Sequence, residues 1–379
     1  MRRALAPALL LLSIPHPAAA QAPIPINPIT SSFPGAYTSP PSALSASLAL
    51  SDRWLANEPF ANPAIAPTTA VAASPMLMLL SRQDLSANNR EFSDQGVTAD
   101  FAGAWAALPI GRVAVSAYFW QPVLRSESNS YQVGTDVSLG PPATLTNDIT
   151  MREWIAGFGA SVPIACVRLG AALEWDGRDD SYSLHEESGS PSAGDSRVSF
   201  SGNAVGAQFG ARAALGSAER PIEIGAAARY LPSLELTGTQ TLNQIDTVGT
   251  NPVTVTRASA WQGGVSARVP LGSTFKLVMA SGTAGAQDWT GFGVTSGRSF
   301  EWKIAGEFHD ARDPWTLRFG GGQEQQDGVP EPRAGVYSIG LGWRLKNTTV
   351  DVGLLHRTLD RPGEPTSYDE RLLLSIRVP

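Results

Sequence analysis

The sequence Phe300-Glu301-Trp302-Lys303-Ile304-Ala305-Gly306-Glu307-Phe308-His309 alternates between apolar and polar side chains. Successive side chains of a β-strand point to opposite faces, so this period predicts a strand with one apolar and one largely charged face. A soluble strand is typically ~5–6 residues long, whereas a strand that crosses a membrane needs ~9–11. The length of this run therefore favours a membrane-crossing strand.

The same alternation recurs along most of the chain and predicts about fourteen strands, an even number, as closed bacterial barrels have. We therefore predict an all-β fold, a transmembrane antiparallel up-and-down β-barrel. The alternative is a soluble β-protein such as a sandwich. The predicted strands are 74–82, 94–108, 111–124, 148–161, 164–176, 196–215, 220–236, 252–269, 272–281, 297–308, 313–323, 334–345, 348–359 and 368–378.

The connections between these strands alternate between short and long, which is typical of outer-membrane barrels with tight periplasmic turns and longer extracellular loops. A soluble sandwich has no reason to separate them in this way. The short turns are Pro109–Ile110, Val162–Pro163, Gly216–Glu219, Pro270–Leu271, His309–Arg312 and Lys346–Asn347. The long loops are 83–93, 125–147, 177–195, 237–251, 282–296, 324–333 and 360–367.

Composition excludes several other classes of protein. Charged residues make up 16% of the chain, the net charge is -6 and no basic run occurs, so we expect no nucleic-acid partner. Cys166 is the only cysteine, which rules out an intramolecular disulfide framework and a four-cysteine zinc site. We expect its thiol to be inert.

The N-terminal part of the chain divides into two segments before the barrel at 74–379. Residues 1–20 combine two arginines, a short apolar run and an Ala-Ala-Ala end, the pattern of a cleaved signal peptide. Residues 21–73 are rich in proline, alanine and serine but contain several large apolar side chains. We interpret 21–73 as a plug or hatch inside the lumen, with a disordered periplasmic tail as the alternative.

The two faces of the predicted strands are expected to meet different surroundings. If the apolar face meets lipid, the other face lines a lumen, where its mixed charges must be hydrated or paired with one another. Aromatic side chains near strand ends predict two interfacial belts. The belt residues would be Phe119, Trp120, Trp175, Phe300 and Tyr368 near the long loops, and Trp105, Phe308, Trp315 and Trp343 near the short turns.

Short motifs at both ends of the chain resemble the FadL/TodX-like outer-membrane proteins and their PorV-like relatives. Before the first strand they are Ser45 to Asp52 and Phe60-Ala61-Asn62-Pro63-Ala64. In the closing third they are Trp315 to Gly322, Val336 to Arg344 and Val350 to Gly353.

The resemblance implies a fourteen-stranded monomeric barrel with an N-terminal hatch in the bacterial outer membrane. For FadL-like members it implies passage of hydrophobic small molecules, such as long-chain fatty acids or aromatic hydrocarbons. PorV-like relatives suggest instead a scaffold that partners secretion machinery without transport. We interpret Asn62, Pro63 and Ala64 as the hatch elbow, because proline keeps the residue before it out of helical angles; an ordinary turn is the alternative.

Chemical motifs are nearly absent, so we predict no enzyme activity, no catalytic residues, no cofactor and no metal. His356 is the one candidate base, on the outward face near a long loop, but no serine lies within two residues of it; Thr358 shares its face. Asp176 to Asp180, with Glu174, could bind calcium, although the spacing is not that of an EF-hand. We expect a solvated acidic loop there.

Overall fold

The computed structural model describes most of the chain beyond residue 41. The described residues are 42–55, 58–65, 71–87, 90–94, 100–133, 143–188, 195–217, 219–244, 247–290, 294–310, 312–327, 333–360 and 366–378. The predicted signal peptide, 1–20, lies outside them, as do residues 21–41 of the predicted plug. Among the described residues, no helix has the length and apolar character needed to cross a bilayer.

Nearly all regular structure in the described residues is β-strand, and a five-residue helix, α1 (Ala43–Ser47), precedes the strands. The strands are β1 (Ala72–Ala87), β2 (Arg90–Asp94), β3 (Asp100–Ile110), β4 (Val113–Val133), β5 (Ala143–Ile164), β6 (Val167–Ser188), β7 (Asp195–Leu215), β8 (Ile222–Leu231), β9 (Leu234–Gln244), β10 (Thr247–Arg257), β11 (Ala260–Leu271), β12 (Phe275–Ala284), β13 (Gln287–Thr290), β14 (Val294–Ser296), β15 (Ser299–His309), β16 (Trp315–Gln326), β17 (Arg333–Leu345), β18 (Thr348–Asp360) and β19 (Ser367–Arg377).

These strands form one closed antiparallel barrel, which confirms the predicted fold class. Sequence neighbours pair around the wall, and β1 pairs with β19 from Met76↔Ser375 to Asp84↔Tyr368 to close it. Five barrel strands are interrupted, so that β2–β3, β8–β9, β10–β11, β12–β13 and β14–β15 each count as one. The barrel therefore has the fourteen strands that the alternation predicts, one for each predicted segment.

The burial pattern is the reverse of that of a soluble protein. On β15 the side chains of Phe300 and Trp302 are 48% and 46% exposed, whereas Glu301 and Lys303 are 2% exposed. Apolar side chains thus cover the outside of the barrel and charged ones lie inside it. A closed barrel with an apolar outer wall is the architecture of an outer-membrane protein, because lipid covers that wall and the closed sheet leaves no unpaired edge.

Several predicted long loops are shorter than expected because the hairpins continue past the membrane-crossing length. The predicted loop 177–195 contains the end of β6, which pairs with β5 and β7 as far as Ser188 and His185 respectively. The prediction of a solvated acidic loop at Asp176 to Asp180 is therefore wrong for its lumen-facing residues. Asp176, Arg178 and Asp180 point into the lumen and are buried.

Two aromatic residues assigned to the interfacial belts lie inside the barrel instead. Trp105 and Trp120 are 5% and 2% exposed and belong to a buried apolar cluster in the lumen. Their alternation puts them on the inward face, a signal that outweighs their position near a strand end. The exposed belt residues Trp175, Phe300, Tyr368, Phe308, Trp315 and Trp343 lie on the outer wall.

Three adjacent barrel strands exchange their inward and outward faces at one height of the wall. The change occurs at Pro232–Ser233, Ala258–Ser259 and Gly285–Ala286, where the strand pairing is interrupted. Before the first break, on β8, Arg229 and Leu231 point inward. After it, on β9, Leu234 and Leu236 point inward. One residue more than regular alternation allows, as between the inward-facing Leu231 and Leu234, reverses the face of every side chain that follows.

Candidate functional site

Residues 42–55 and 58–65, here called the lumen segment, lie inside the barrel. All of these residues are buried. They bond to strands all around the wall: Ala43 N donates to Ser375 Oγ at 2.8 Å, Ser338 Oγ donates to Ser47 O at 3.0 Å, and Ser161 Oγ donates to Ile65 O at 2.8 Å. Contacts to β19, β17 and β5 place the segment across the lumen; the role of 21–73 as a plug or hatch stays a prediction.

The segment is held in shape by local hydrogen bonds rather than by a long helix. Ser42 caps α1, and its Oγ accepts a hydrogen bond from Ser45 N at 3.2 Å. The chain then leaves the helix through Ala49 and Leu50, which have φ angles of 50° and 63°. Two consecutive residues in this left-handed region turn the chain sharply, which suits a compact plug.

The structure places Asn62, Pro63 and Ala64 against the barrel wall. Asn62 Nδ2 donates to Trp54 O at 2.5 Å and lies 3.3 Å from both Ala211 O and Ala226 O, while Oδ1 accepts from Ala64 N at 2.9 Å. The side chain therefore links two parts of the segment to two neighbouring strands. This geometry fits the predicted elbow, whose role in gating stays a prediction.

Two wall glycines make room for this elbow. Gly170 and Gly210 are partners across β6 and β7. A Cβ on Gly210 would collide with Asn62 Oδ1 and lie 2.9 Å from Pro63 Cδ, and one on Gly170 would collide with the backbone of Pro63 and Ala64. The close approach of segment to wall therefore requires residues without a side chain at these positions. Other wall glycines that face the segment at close range are Gly225, Gly264, Gly320, Gly340 and Gly353.

A buried ion pair anchors the segment near Phe60. Arg229 Nε lies 2.7 Å from Glu174 Oε2, Arg229 Nη2 donates to Phe60 O at 2.5 Å, and Tyr118 OH donates to Glu174 Oε1 at 2.5 Å. Gln208 Nε2 adds a hydrogen bond to Ala61 O at 2.9 Å. Wall side chains thus satisfy consecutive carbonyls of the segment.

A second series of ion pairs crosses the wall from β15 to β19. Arg53 of the segment lies 3.6 Å from Glu301, and Lys303 lies 2.7 Å from Glu301 and 2.8 Å from Glu324. Arg357 then joins Glu324 and Asp369, each at 3.5 Å. The charges of this series are therefore paired, as their burial requires.

A third group of charges lies closer to the long-loop end of the barrel than the lumen segment does. It is here called the upper ionic cluster and consists of Glu153, Asp176, Arg178, Asp180 and Arg257. Arg178 lies 2.8 Å from Asp180 and 3.4 Å from Glu153, and Arg257 lies 2.8 Å from Glu153 and also bonds to Asp176. Each guanidinium thus contacts two carboxylates. The calcium hypothesis gains no support, since the two arginines already neutralise most of this negative charge.

An apolar cluster, here called the upper apolar cluster, adjoins these charges. Its members point inward and are at most 5% exposed. The ring of Trp289 connects the two clusters, with Arg178 Cζ 4.8 Å and Arg257 Cζ 5.9 Å from its centroid. The upper apolar cluster consists of Met151, Tyr182, Val198, Phe200, Leu234, Leu236, Val255 and Trp289.

The change of strand face explains the inward position of four members of this cluster, which sequence reasoning missed: Leu234, Leu236, Val255 and Trp289. With uninterrupted alternation, Leu234 and Leu236 would be on the outer wall, and Arg229 and Leu231 would define the inner one. Pro232 is the signal that could have revealed the break, because proline inside a strand marks a bulge or an edge. The consequence is a buried apolar cluster in a lumen that alternation predicts to be polar.

The lumen segment contains two buried carboxyl groups, Asp52 and Glu58. Burial, together with the nearby Asp52, raises the pKa of Glu58 to about 7. Burial also raises the pKa of Asp52, against the opposing pull of Arg268 and Arg318. Ser45 Oγ donates to Glu58 Oε2 at 3.3 Å. The segment is therefore seated more easily when Glu58 carries a proton.

His356 lies on the outer wall, as predicted. Its Nδ1 is 2.9 Å from Glu370 Oε1, and its ring is flanked by Tyr337 and Tyr368 at centroid distances of 6.4 and 5.8 Å. The arrangement is that of an interfacial polar pair. The described residues contain no group of three metal-ligating side chains.

Comparison with known proteins places this geometry in context. No family model and no curated protein sequence matches the chain. Among solved structures, a FadL homologue from Pseudomonas aeruginosa is 13% identical, covers 92% of this chain and 99% of its own, and has a TM-score of 0.62. The monoaromatic hydrocarbon channel CymD is 10% identical, with coverages of 89% and 98% and a TM-score of 0.56.

The toluene transporter TodX from Pseudomonas putida is similar too, at 11% identity, coverages of 92% and 95%, and a TM-score of 0.55. These similarities extend over nearly the whole length of both chains and establish a common fold. The fold is the FadL/TodX-like barrel that the short motifs predict. None of these relatives is described as a secretion scaffold, so that alternative gains no support from them.

Proposed function

We propose that this protein is an outer-membrane channel that admits uncharged hydrophobic small molecules, hydrocarbons in preference to fatty acids. The observation that carries the proposal is the upper apolar cluster, four of whose members, Leu234, Leu236, Val255 and Trp289, lie on the three strands that exchange their faces. A wall that served as a scaffold alone would gain nothing from an apolar lumen at this height. The proposal agrees with the names of two of the three structural neighbours, a hydrocarbon channel and a toluene transporter.

Cargo that enters the upper apolar cluster would bury its own apolar surface, worth about 25 cal/mol for each Å² removed from water. The members of the cluster are already buried, so they would have to move apart to admit it. The aromatic and aliphatic members of the cluster offer adaptable contact without directional demands. Such a surface selects for apolar character and size more than for a particular functional group.

The pairing of the lumen charges favours uncharged cargo. A fatty-acid carboxylate needs a cation, and in the upper ionic cluster two arginines face three carboxylates. A carboxylate entering there would have to replace one of these partners and would meet repulsion from the others. An uncharged hydrocarbon avoids that cost and can use the neighbouring apolar surface.

Passage to the periplasm requires the lumen segment to shift, since it lies across the lumen from β5 to β19. Cargo can drive such a shift only if it binds the shifted state more tightly than the seated one. The elbow at Asn62, Pro63 and Ala64 is our candidate hinge, because it joins the two halves of the segment at the wall glycines. We expect the barrel to work as a monomer in outer-membrane lipid.

The test is uptake by a Gram-negative host that lacks its own hydrophobic channels. Cells that produce the protein are compared with empty cells for initial uptake of radiolabelled xylene and radiolabelled oleate. We expect xylene uptake to rise severalfold and oleate uptake to change little. A rise for oleate alone would overturn the cargo preference, and no rise for either would overturn the channel.

A pair of variants connects uptake to the site. Leu236→Asn places a polar amide in the upper apolar cluster, so xylene uptake is expected to fall severalfold. Thr237→Asn changes the neighbouring, exposed residue and serves as the matched control. Equal uptake by the two variants would show that the cluster plays no part.

A further inference from the structure

The ring of Phe60, in the lumen segment, occupies a site formed by the barrel wall. It is stacked on Trp120 with centroids 5.9 Å apart and planes at 30°, and it meets Tyr118 edge-on at 6.3 Å and 73°. Phe60 is 1% exposed. Stacked and edge-on contacts at these distances are the preferred geometries for a benzene-type ring.

The two rings that contact Phe60, those of Trp120 and Tyr118, belong to the wall, and the buried cluster around them also includes Ala61 and Ile65 of the segment. Inward-facing side chains of β1, β3, β4 and β5 form the site, and we call them the aromatic cage. The guanidinium carbon of Arg229 lies 5.4 Å from the centroid of the Trp120 ring, on the same wall. The cage residues are Met76, Trp105, Tyr118, Trp120 and Ile155, all at most 5% exposed.

The backbone of Phe60 is tied down beside the cage. Its carbonyl accepts hydrogen bonds from Arg229 Nη2 at 2.5 Å and from Gln208 Nε2 at 3.3 Å. Arg229 therefore holds the carbonyl of the same residue whose ring fills the cage. Any molecule that expels the ring also disturbs this anchoring of the segment.

We propose that the aromatic cage is a binding subsite for one uncharged aromatic ring, and that Phe60 is a built-in competitor for it. Cargo that takes the place of Phe60 loosens the segment at Arg229, which couples occupancy of the subsite to release of the plug. This inference rests on the proposed function for its biological direction. The competition itself is an equilibrium property of the protein and can be measured without transport.

Competition by Phe60 predicts how strongly the apparent affinity of the cage for a free ring should change when Phe60 is removed. A tethered ring that fills the cage most of the time lowers the apparent affinity for a free ring by the fraction of time that the cage is empty. Removing the tethered ring should therefore tighten binding of an aromatic probe. We expect about a tenfold decrease in apparent Kd, while an aliphatic probe of similar size should gain much less.

The experiment uses the full chain in phospholipid nanodiscs and two probes observed by fluorine NMR, fluorobenzene and 1-fluorohexane. Protein-free nanodiscs correct for partition into lipid. Phe60→Ala removes the competitor. Leu48→Ala is the matched control, because Leu48 is buried in the same segment but packs in a different cluster, with Val278 and Ala305.

The expected result is a tenfold gain for fluorobenzene in Phe60→Ala, little gain for 1-fluorohexane, and no gain in Leu48→Ala. Adding Trp120→Leu to Phe60→Ala should remove the gain, and heat-dependent gel mobility verifies that each barrel is folded. Unchanged fluorobenzene binding in folded Phe60→Ala, an equal gain for both probes, or an equal gain in Leu48→Ala would each overturn the subsite.

Failure of the proposed function gives a different result. A wild-type protein that takes up neither xylene nor oleate, but whose Phe60→Ala variant binds fluorobenzene tenfold more tightly, would have the subsite without the channel. Uptake of xylene with no gain in Phe60→Ala would leave the channel and remove the subsite.

Discussion

Along β7 the outer wall presents Val205 and Phe209, which are 62% and 50% exposed, whereas the inner wall presents Gln208, which is 1% exposed, and Gly210. The same strand therefore contributes to two surfaces, an exposed apolar one outside and a buried one with polar and small residues inside. Outward side chains meet lipid, a fluid that adapts to any apolar shape. Inward side chains meet fixed partners in the lumen segment or on other strands, so their size and charge are constrained individually.

This difference teaches where the specific information lies. Many apolar side chains would satisfy the outer wall, so it determines the fold class and little else. The inner wall determines which segment is seated, which charges are paired and which cargo is accepted. Substitutions of adjacent residues on one strand, one inward and one outward, can test that claim.

Arg229→Met should have the largest effect. The substitution leaves Glu174 buried without its cation and Phe60 O without its shortest hydrogen bond, a loss of about 3–5 kcal/mol by analogy with other broken buried pairs. Tyr230→Leu changes the next, outward residue and should cost less than about 1 kcal/mol. Urea unfolding in phospholipid vesicles measures both. Equal losses would break the distinction between the walls.

Gly210→Val should have the next largest effect. The new side chain would collide with Asn62 and Pro63, and overpacking of this kind costs about 1–3 kcal/mol, or roughly 5- to 150-fold in the population of unseated segment. Trypsin cleavage after Arg53, which is buried in the seated segment, reports that population. Phe209→Leu is the outward control and should leave the cleavage rate unchanged. A slow rate in Gly210→Val would show that the elbow is not seated there.

The sequence predicts the outer wall far better than the lumen, for physical reasons. Alternation of the type seen in Phe300 to His309 depends only on the lipid outside, so a local pattern suffices to find every barrel strand. The seating of Asn62 against Gly170 and Gly210 depends on contacts between residues more than one hundred positions apart. A short motif could indicate the elbow but could not identify the glycines that receive it.

Local patterns also fail where the wall itself departs from regularity. Half of the upper apolar cluster faces the lumen because three breaks, among them Pro232–Ser233, lie at the same height on neighbouring strands. Each break looks like an ordinary irregularity on its own strand. Only the pairing of the strands shows that they act together and that Leu234 faces the same space as Trp289.

Glu58→Gln should have a smaller effect, which depends on pH. The pKa of Glu58, about 7 when buried beside Asp52 and near 4.5 in the free chain, means that the seated segment binds the proton more tightly. The packing of the lumen segment against the wall is therefore most stable below about pH 4.5, and its stability falls as the pH rises to about 7. In wild type, trypsin cleavage after Arg53 should increase over this range.

In Glu58→Gln that increase should be much smaller, because the amide does not titrate. The cleavage rate of the variant divided by that of wild type at each pH cancels the protease's own pH dependence. The ratio should decline as the pH rises from 5 to 8. A ratio that does not change with pH would show that Glu58 plays no part in seating.

His356→Ala should have the smallest effect, although His356 is polar and hydrogen-bonded to Glu370. It lies on the outer wall and is partly exposed, so its loss should cost less than about 1 kcal/mol. The adjacent inward residue, Arg357, bridges Glu324 and Asp369, and Arg357→Ala should cost several times more. Urea unfolding compares the two.

Release of fatty acid from phosphatidylcholine vesicles adds a chemical test, since neither wild type nor His356→Ala is expected to hydrolyse lipid. Hydrolysis by wild type that disappears in His356→Ala would make the outer wall a catalytic surface and would end its description as a passive lipid-facing one.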